Sequence, residues 1–214
     1  MATPTQLSIY NEALLLCEER TLASLSESRK PRFLLDQVWN DNGLRDCLSE
    51  GQWTFATRSI SVTYDPNIQP AFGYIHAFQQ PADFVRTCGV ASDGYFNSAL
   101  SQFADENGYW WGDMDTMFVK FVSSDPSYGL DLTLWPEYFT RFVEAHFATK
   151  IVGPLTHDNN LKMTLEKKRE QTLDSARSKN GINEPAGFFP RGQLSRARQG
   201  LYFGRPDRNG SGWY

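Results

Sequence analysis

LWPEYFTRFVEAHFATKIVGPLT, residues 134–156, is the stretch on which the fold turns. Trp135, Tyr138, Phe139, Phe142, Val143, Ala145, Thr149 and Val152 recur at the three- and four-residue steps of one helix face. Glu137, Arg141, Glu144 and Lys150 point away from that face. Gly153-Pro154 is expected to end or kink the helix, because proline lacks the amide hydrogen and its ring clashes with the carbonyl four residues back. A stripe this broad needs other elements to cover it, and the chain supplies them on both sides.

On the N-terminal side, Leu7, Tyr10, Leu14 and Cys17 predict a helix over about 4–19, capped by Thr3 or Thr5 around Pro4. A second helix starts near Pro31 with Leu34, Leu35, Val38 and Trp39, breaks at Asn40–Gly43, and resumes with Leu44, Cys47 and Leu48. After Gly51 the period changes to two: Ile60, Val62 and Tyr64 alternate with Ser59, Ser61 and Thr63, the pattern of a half-buried strand. GYIHAF, DFVRTCGV and DTMFVKFV read as further strands, with Met117, Val119 and Phe121 on one face of the last. ENGYWW carries an Asn-Gly turn, and Pro81 is excluded from a central ladder position.

On the C-terminal side, a polar helix over about 158–179 has sparse apolar positions, Leu161 and Leu165 and then only Thr172 and Ala176. Such a helix is exposed or lies against another chain. From Gly181 onward no period runs. The expectation is an α+β, mainly α fold: a helical bundle (helices about 4–50 and 130–179) with an inserted small antiparallel β region (about 52–123) and an extended C-terminal arm. Residues 1–180 form one domain in this reading and 181–214 a partner-binding arm.

The 214 residues hold no apolar run of the roughly 20 needed to cross a bilayer, and no membrane is expected as a partner. The first 20 residues lack the basic start and long apolar centre of a secretory leader. Cys17, Cys47 and Cys88 are odd in number and far apart, which points to a reducing compartment rather than a disulfide framework. The charge is uneven: residues 1–160 carry 10 Lys and Arg against 20 Asp and Glu, and residues 161–214 carry 11 against 5. An acidic body with a basic end signals an interaction tail.

Catalytic chemistry finds little footing, and the expectation is a protein that is not an enzyme and needs no cofactor or metal. His146 sits on the apolar stripe and reads as a satisfied core or interface histidine, His157 as a polar cap, and His76 has no HxH or HxxxH partner. Asp113 and Asp115, two apart beside aromatic residues, admit a glycosidase reading, which a turn rim explains equally well.

The end of the chain, PRGQLSRARQGLYFGRPDRNGSGWY (190–214), carries Arg191, Arg196, Arg198, Arg205 and Arg208. They alternate with Leu201, Tyr202 and Phe203 and follow Phe188 and Phe189. Arginine forks and aromatic rings are the residue types that anchor protein interfaces. They also bind single-stranded nucleic acid by phosphate contacts and stacking, the alternative function for this segment. The acidic body favours a protein partner, since it repels phosphate.

Several stretches, taken together and in order, resemble a known family. They are ALLLCEERTLASLSESRKPRFLLDQVW (13–39), LSEGQWTFATRSISVTYDP (48–66) followed by QPADFVRT (80–87), DTMFVKFVSSDPS (115–127) leading into residues 134–156, and LDSARSKNGINEP (173–185). The chain is similar over about residues 8–185 to the tail tubular protein A family, the head-to-tail adaptors of short-tailed bacteriophages. The resemblance implies a helical bundle with an inserted β region. It also implies a virion ring of self-associated copies, usually twelve, at the head-tail junction between the capsid portal protein and the tail nozzle or tube protein. Double-stranded DNA would pass through that ring without specific binding, during packaging retention and ejection, and assembly would take place in the host cytoplasm. The polar helix and the arm would face the portal, with Phe188, Phe189, Arg191, Arg196, Arg198, Leu201, Tyr202, Phe203 and Arg205 as its contacts. The β region would face the nozzle and neighbouring subunits.

Overall fold

A computed structural model describes residues 3–70, 72–96, 99–100, 102–156 and 158–183. Helix α1 spans Gln6–Leu16 and starts at Thr5, whose hydroxyl accepts from the Ser8 amide while the Ser8 hydroxyl accepts from the Thr5 amide. That reciprocal cap satisfies two of the donors that every helix start leaves open. Helix α2, Lys30–Val38, has Pro31 in its first turn. The expected break follows: Asn42 sits at φ 67°, a left-handed conformation that asparagine tolerates. Gly43 is required beside it, because a Cβ there would lie 2.4 Å from the Val38 carbonyl oxygen. Helix α3 then runs Leu44–Ser49.

Six strands follow: β1 Thr57–Thr63, β2 His76–Gln79, β3 Phe84–Ala91, β4 Ala104–Glu106, β5 Tyr109–Gly112 and β6 Thr116–Ser123. They form two three-stranded antiparallel sheets, ordered β1-β6-β3 and β2-β5-β4. The β4–β5 hairpin turns on Asn107 (φ 53°) and Gly108 (φ 80°), the left-handed pair that a tight two-residue turn demands. In β1 Ile60 and Val62 are half-buried while Ser59, Ser61 and Thr63 are exposed, as the alternation predicts.

The sheets share a core of their own. Phe78 and Trp110 from one meet Val90, Met117, Val119 and Phe121 from the other. The Trp110 indole N–H donates to the Thr87 hydroxyl across the gap, at 2.9 Å. Asp83, just before β3, accepts from Arg58 of β1 at 2.9 Å and from Ser123 of β6, tying the ends of three strands. Burial raises the affinity of the Asp83 carboxyl for its proton, and the bonds from Ser123 and Arg58 outweigh it, so the group is held below the ordinary aspartate range.

Helix α4, Glu137–Thr156, is the centre of the helical part, and α5, Asn159–Asn183, packs along it. Phe139, Phe142, Val143, Ala145, Phe147, Ala148, Ile151 and Val152 are all buried. The apolar surface therefore covers most of the circumference instead of one stripe, and α1, α2, α3 and α5 all touch it. Pro154 does not end α4, which continues to Thr156; the carbonyl of Pro154 accepts from Lys30 Nζ at 2.6 Å. Trp53, between α3 and β1 in the chain, fills the core around α4. It is fully buried against Phe139 (5.0 Å between centroids) and Phe142 (6.3 Å), and its indole N–H donates to the Cys47 carbonyl.

The expected helical bundle with an inserted small β region is thus overturned. The fold is α+β, with about 47% helix and 20% strand among the described residues. The strands build two sheets around a separate core, and the helices gather about α4. The reason lies in long-range pairing: β1 and β6 are joined residue by residue from Thr57↔Val122 to Thr63↔Thr116, which no local period reveals.

Trp53→Ala should remove about 3–5 kcal/mol of stability, the usual cost of emptying a large aromatic site. Urea titration followed by circular dichroism reads this directly, and a loss under about 1 kcal/mol would mean that Trp53 is not the hub described here.

Candidate functional site: the clamp and flanks of helix α5

The nine arm residues singled out from the sequence, Phe188 to Arg205, lie outside the described residues, as does His157. The other portal-facing element of the sequence reading is the polar helix, and it is α5, longer than expected at 25 residues. Only Leu165, Leu173, Ala176 and Asn180 are buried. Leu173, not its neighbour Thr172, fills the inward position, and Thr172 is half-buried with its hydroxyl bonded to the Lys168 carbonyl. With so little apolar cover, polar contacts must help to hold α5 in place.

They converge on the short link after α3. Glu50 receives Arg169 Nη2 at 2.6 Å and Arg177 Nη2 at 3.2 Å, and its backbone carbonyl accepts from Arg177 Nε at 2.9 Å. One turn further on, the Asn180 amide group donates to the Gln52 carbonyl at 2.7 Å and accepts from the Thr54 amide and hydroxyl, each at 3.0 Å. Sequence reasoning missed this clamp. Glu50 lies 119 residues from Arg169, and the only local hint is that Arg169 and Arg177 stand two helical turns apart.

His146 of α4 joins the clamp as an acceptor. Its Nδ1 takes the Arg169 Nε hydrogen at 3.0 Å, and guanidinium cannot accept in return, so Nδ1 carries no proton. The ring is 4% exposed. Burial first, and then the charges of Arg169 and Lys150, push its pKa down to about 4. The reading of His146 as a core histidine fits its burial, but the ring is only half satisfied: Nε2, which must carry the ring proton, is buried with no hydrogen-bond partner among the described residues. His76 stacks on Tyr64 at 4.0 Å between centroids and lies 3.6 Å from Asp115. Asp115 is 89% exposed and Asp113 accepts from the Ile75 amide at 3.0 Å, so the pair forms a turn rim. Among the described residues no group of three or more His, Cys, Asp or Glu is placed to hold a metal ion, and no helix is long and apolar enough to cross a membrane.

Two concavities flank α5 where it meets α4. On one side Lys168, Gln171, Thr172, Ser175 and Lys179 line a groove of about 220 Å³. Tyr138 and Arg141 of α4 close it, and Arg141 is paired with Glu137. On the other side Glu166 and Glu170, with His146, Lys150 and Arg169, border a cavity of about 400 Å³. Comparison with family models and with curated proteins returns no match for this sequence.

Two measurements test the clamp and its surroundings. Glu50→Gln removes the ion pairs to Arg169 and Arg177 and should weaken the attachment of α5 by about 1–3 kcal/mol. Amide exchange should then quicken along residues 165–183 while α4 keeps its protection; unchanged exchange in α5 would show that the apolar stripe alone holds the helix. The second concerns Glu144, whose carboxyl is raised from 4.5 to about 7 by burial and then by Glu12. The folded protein holds that proton where the unfolded chain has released it, so this group lowers stability as pH rises from about 4.5 to 7. His146 acts in the opposite sense, adding stability as pH rises from about 4 toward 6.5. The melting-temperature difference between wild type and Glu144→Gln isolates the carboxyl: the variant should gain on wild type as pH rises to 7 and level off above it.

Proposed function

We propose that the protein is a structural virion component rather than an enzyme. Its copies form a ring, twelve by the family resemblance, that joins the capsid portal of a short-tailed bacteriophage to the tail nozzle or tube. Double-stranded DNA passes through this ring. The observation that carries the reading is α5: a 25-residue helix with four buried positions and a largely exposed outer surface. A helix of that length, packed on α4 along one narrow stripe, clamped through Glu50 and Asn180 and exposed elsewhere, presents a surface to another chain.

The ordered stretches of sequence support the adaptor reading over other assemblies, and the bundle architecture plays no part in that support. The arm that follows Asn183 supplies arginines and aromatic residues for the portal, and twelve such arms act together, so weak individual attachment still gives firm docking. The acidic balance of residues 1–160 suits a passage in which DNA must slide without adhering. A second reading, nucleic-acid binding through the arm, draws on the same arginine and aromatic content.

Co-sedimentation with the portal protein of the same phage, comparing the full chain with one cut after Asn183, tests the proposal. Capture at ring stoichiometry that is lost on truncation supports both adaptor and arm. Capture that survives truncation moves the contact to α5. If neither form is captured and the full chain instead binds single-stranded DNA with a steep salt dependence, the nucleic-acid reading replaces the adaptor.

A further inference from the structure

The carboxylates of α5 all stand on one flank, and the other flank carries lysines without them. At 100° per residue, Lys168, Ser175 and Lys179 fall roughly a quarter-turn to one side of the buried stripe, and Glu166 and Glu170 a quarter-turn to the other, with Asp174 further out. No Asp or Glu falls on the lysine flank. Lys168, Lys179, Glu170 and Asp174 make no ion pair among the described residues, and all four are exposed; Glu166 is paired with Lys162 of the preceding turn at 3.9 Å, and Lys167 falls on the outer face near Asp174. Arg169 and Arg177 stand nearer the carboxylate flank and share the single carboxylate of Glu50, which matches one of their two charges. Each flank also shows one large apolar side chain to solvent, Met163 beside the carboxylates (68% exposed) and Ile182 beside the lysines (78%).

We infer that α5 is a seam between successive copies of this chain: the Lys168–Lys179 flank of one copy seats on the Glu166–Glu170–Asp174 flank of the next. This deepens the ring reading above and rests on it. A second copy fits better than a nucleic acid, because phosphates drawn to the lysines would meet the carboxylates of the same helix about 10 Å away. Complementary patches on opposite sides of one element give a head-to-tail contact, which repeats from copy to copy and closes into a ring when its rotation divides a full turn. The helix is long enough for the purpose, about 37 Å at 1.5 Å per residue. The contact is electrostatic in its register, so it should weaken as salt is raised.

Charge reversal on the full chain tests the seam by sedimentation velocity at low salt. Wild type should self-associate. Lys168→Glu with Lys179→Glu, and separately Glu166→Lys with Glu170→Lys, should each weaken association by about tenfold or more, since like charges then face each other. The four changes together should restore it, as should an equimolar mixture of the two double variants in alternating contact. All the altered side chains are exposed, and unchanged circular dichroism and melting temperature show that the fold is kept. A wild type that stays monomeric, or an assembly insensitive to both reversals, overturns the seam. Loss of DNA retention in the lysine variant with assembly unaffected also overturns it and assigns the groove to phosphate. Portal capture is scored separately: a ring that responds to reversal but binds no portal keeps the seam and sinks the adaptor reading, and the converse keeps the adaptor alone.

Discussion

Everything in the helical part answers to the circumference of α4. A helix with one apolar stripe can lie on a surface, but one with buried residues on most of its sides must be surrounded. Leu35, Leu48, Ile9 and Leu14 cover it from the N-terminal helices, Leu165, Leu173 and Ala176 cover it from α5, and Trp53 closes the remaining side. These covers come from segments that are short or sparse in apolar residues. The three N-terminal helices are too short to hold in isolation, so their order derives from the contact with α4. The hydrogen bonds of Trp53 and Trp135 to the carbonyls of Cys47 and Gly129 complete this shell without leaving a buried indole N–H unpaired.

Local features were legible where one residue decides them. The Thr5 cap, the break at Asn42-Gly43, the Asn107-Gly108 turn and the alternation of Ile60 and Val62 follow from side-chain chemistry within a few positions. What was not legible depends on partners far along the chain. The strands were visible, but the pairing of β6 with both β1 and β3 and the common core around Trp110 were not, so a two-sheet body was read as an insert in a bundle. Pro154 misled for a related reason: it stands near the end of α4 at an exposed position, where water can serve the carbonyl that loses its amide partner.

The candidate site divides the same way. A polar, partner-seeking helix could be read from the scarcity of apolar residues, and α5 has that character. The clamp could not, because Glu50 and the arginines it holds belong to segments separated by the whole β part of the chain. The charge split of the helix was present in the sequence throughout. It gains meaning only when Leu165, Leu173 and Ala176 fix which side of α5 faces inward.

Strand β6 has a mechanical consequence. Val122 belongs to the core around α4, while its neighbour Phe121 belongs to the core between the sheets. The two hydrophobic masses thus share one strand as a party wall, with adjacent side chains turned to opposite rooms. A load applied to the sheets reaches the helices through the peptide bonds of β6, and also through side chains such as Arg86 of β3, which donates to the Ser49 carbonyl of α3. The two halves of the molecule are consequently stiffly coupled, and neither can shear past the other without tearing a strand from the middle of its sheet.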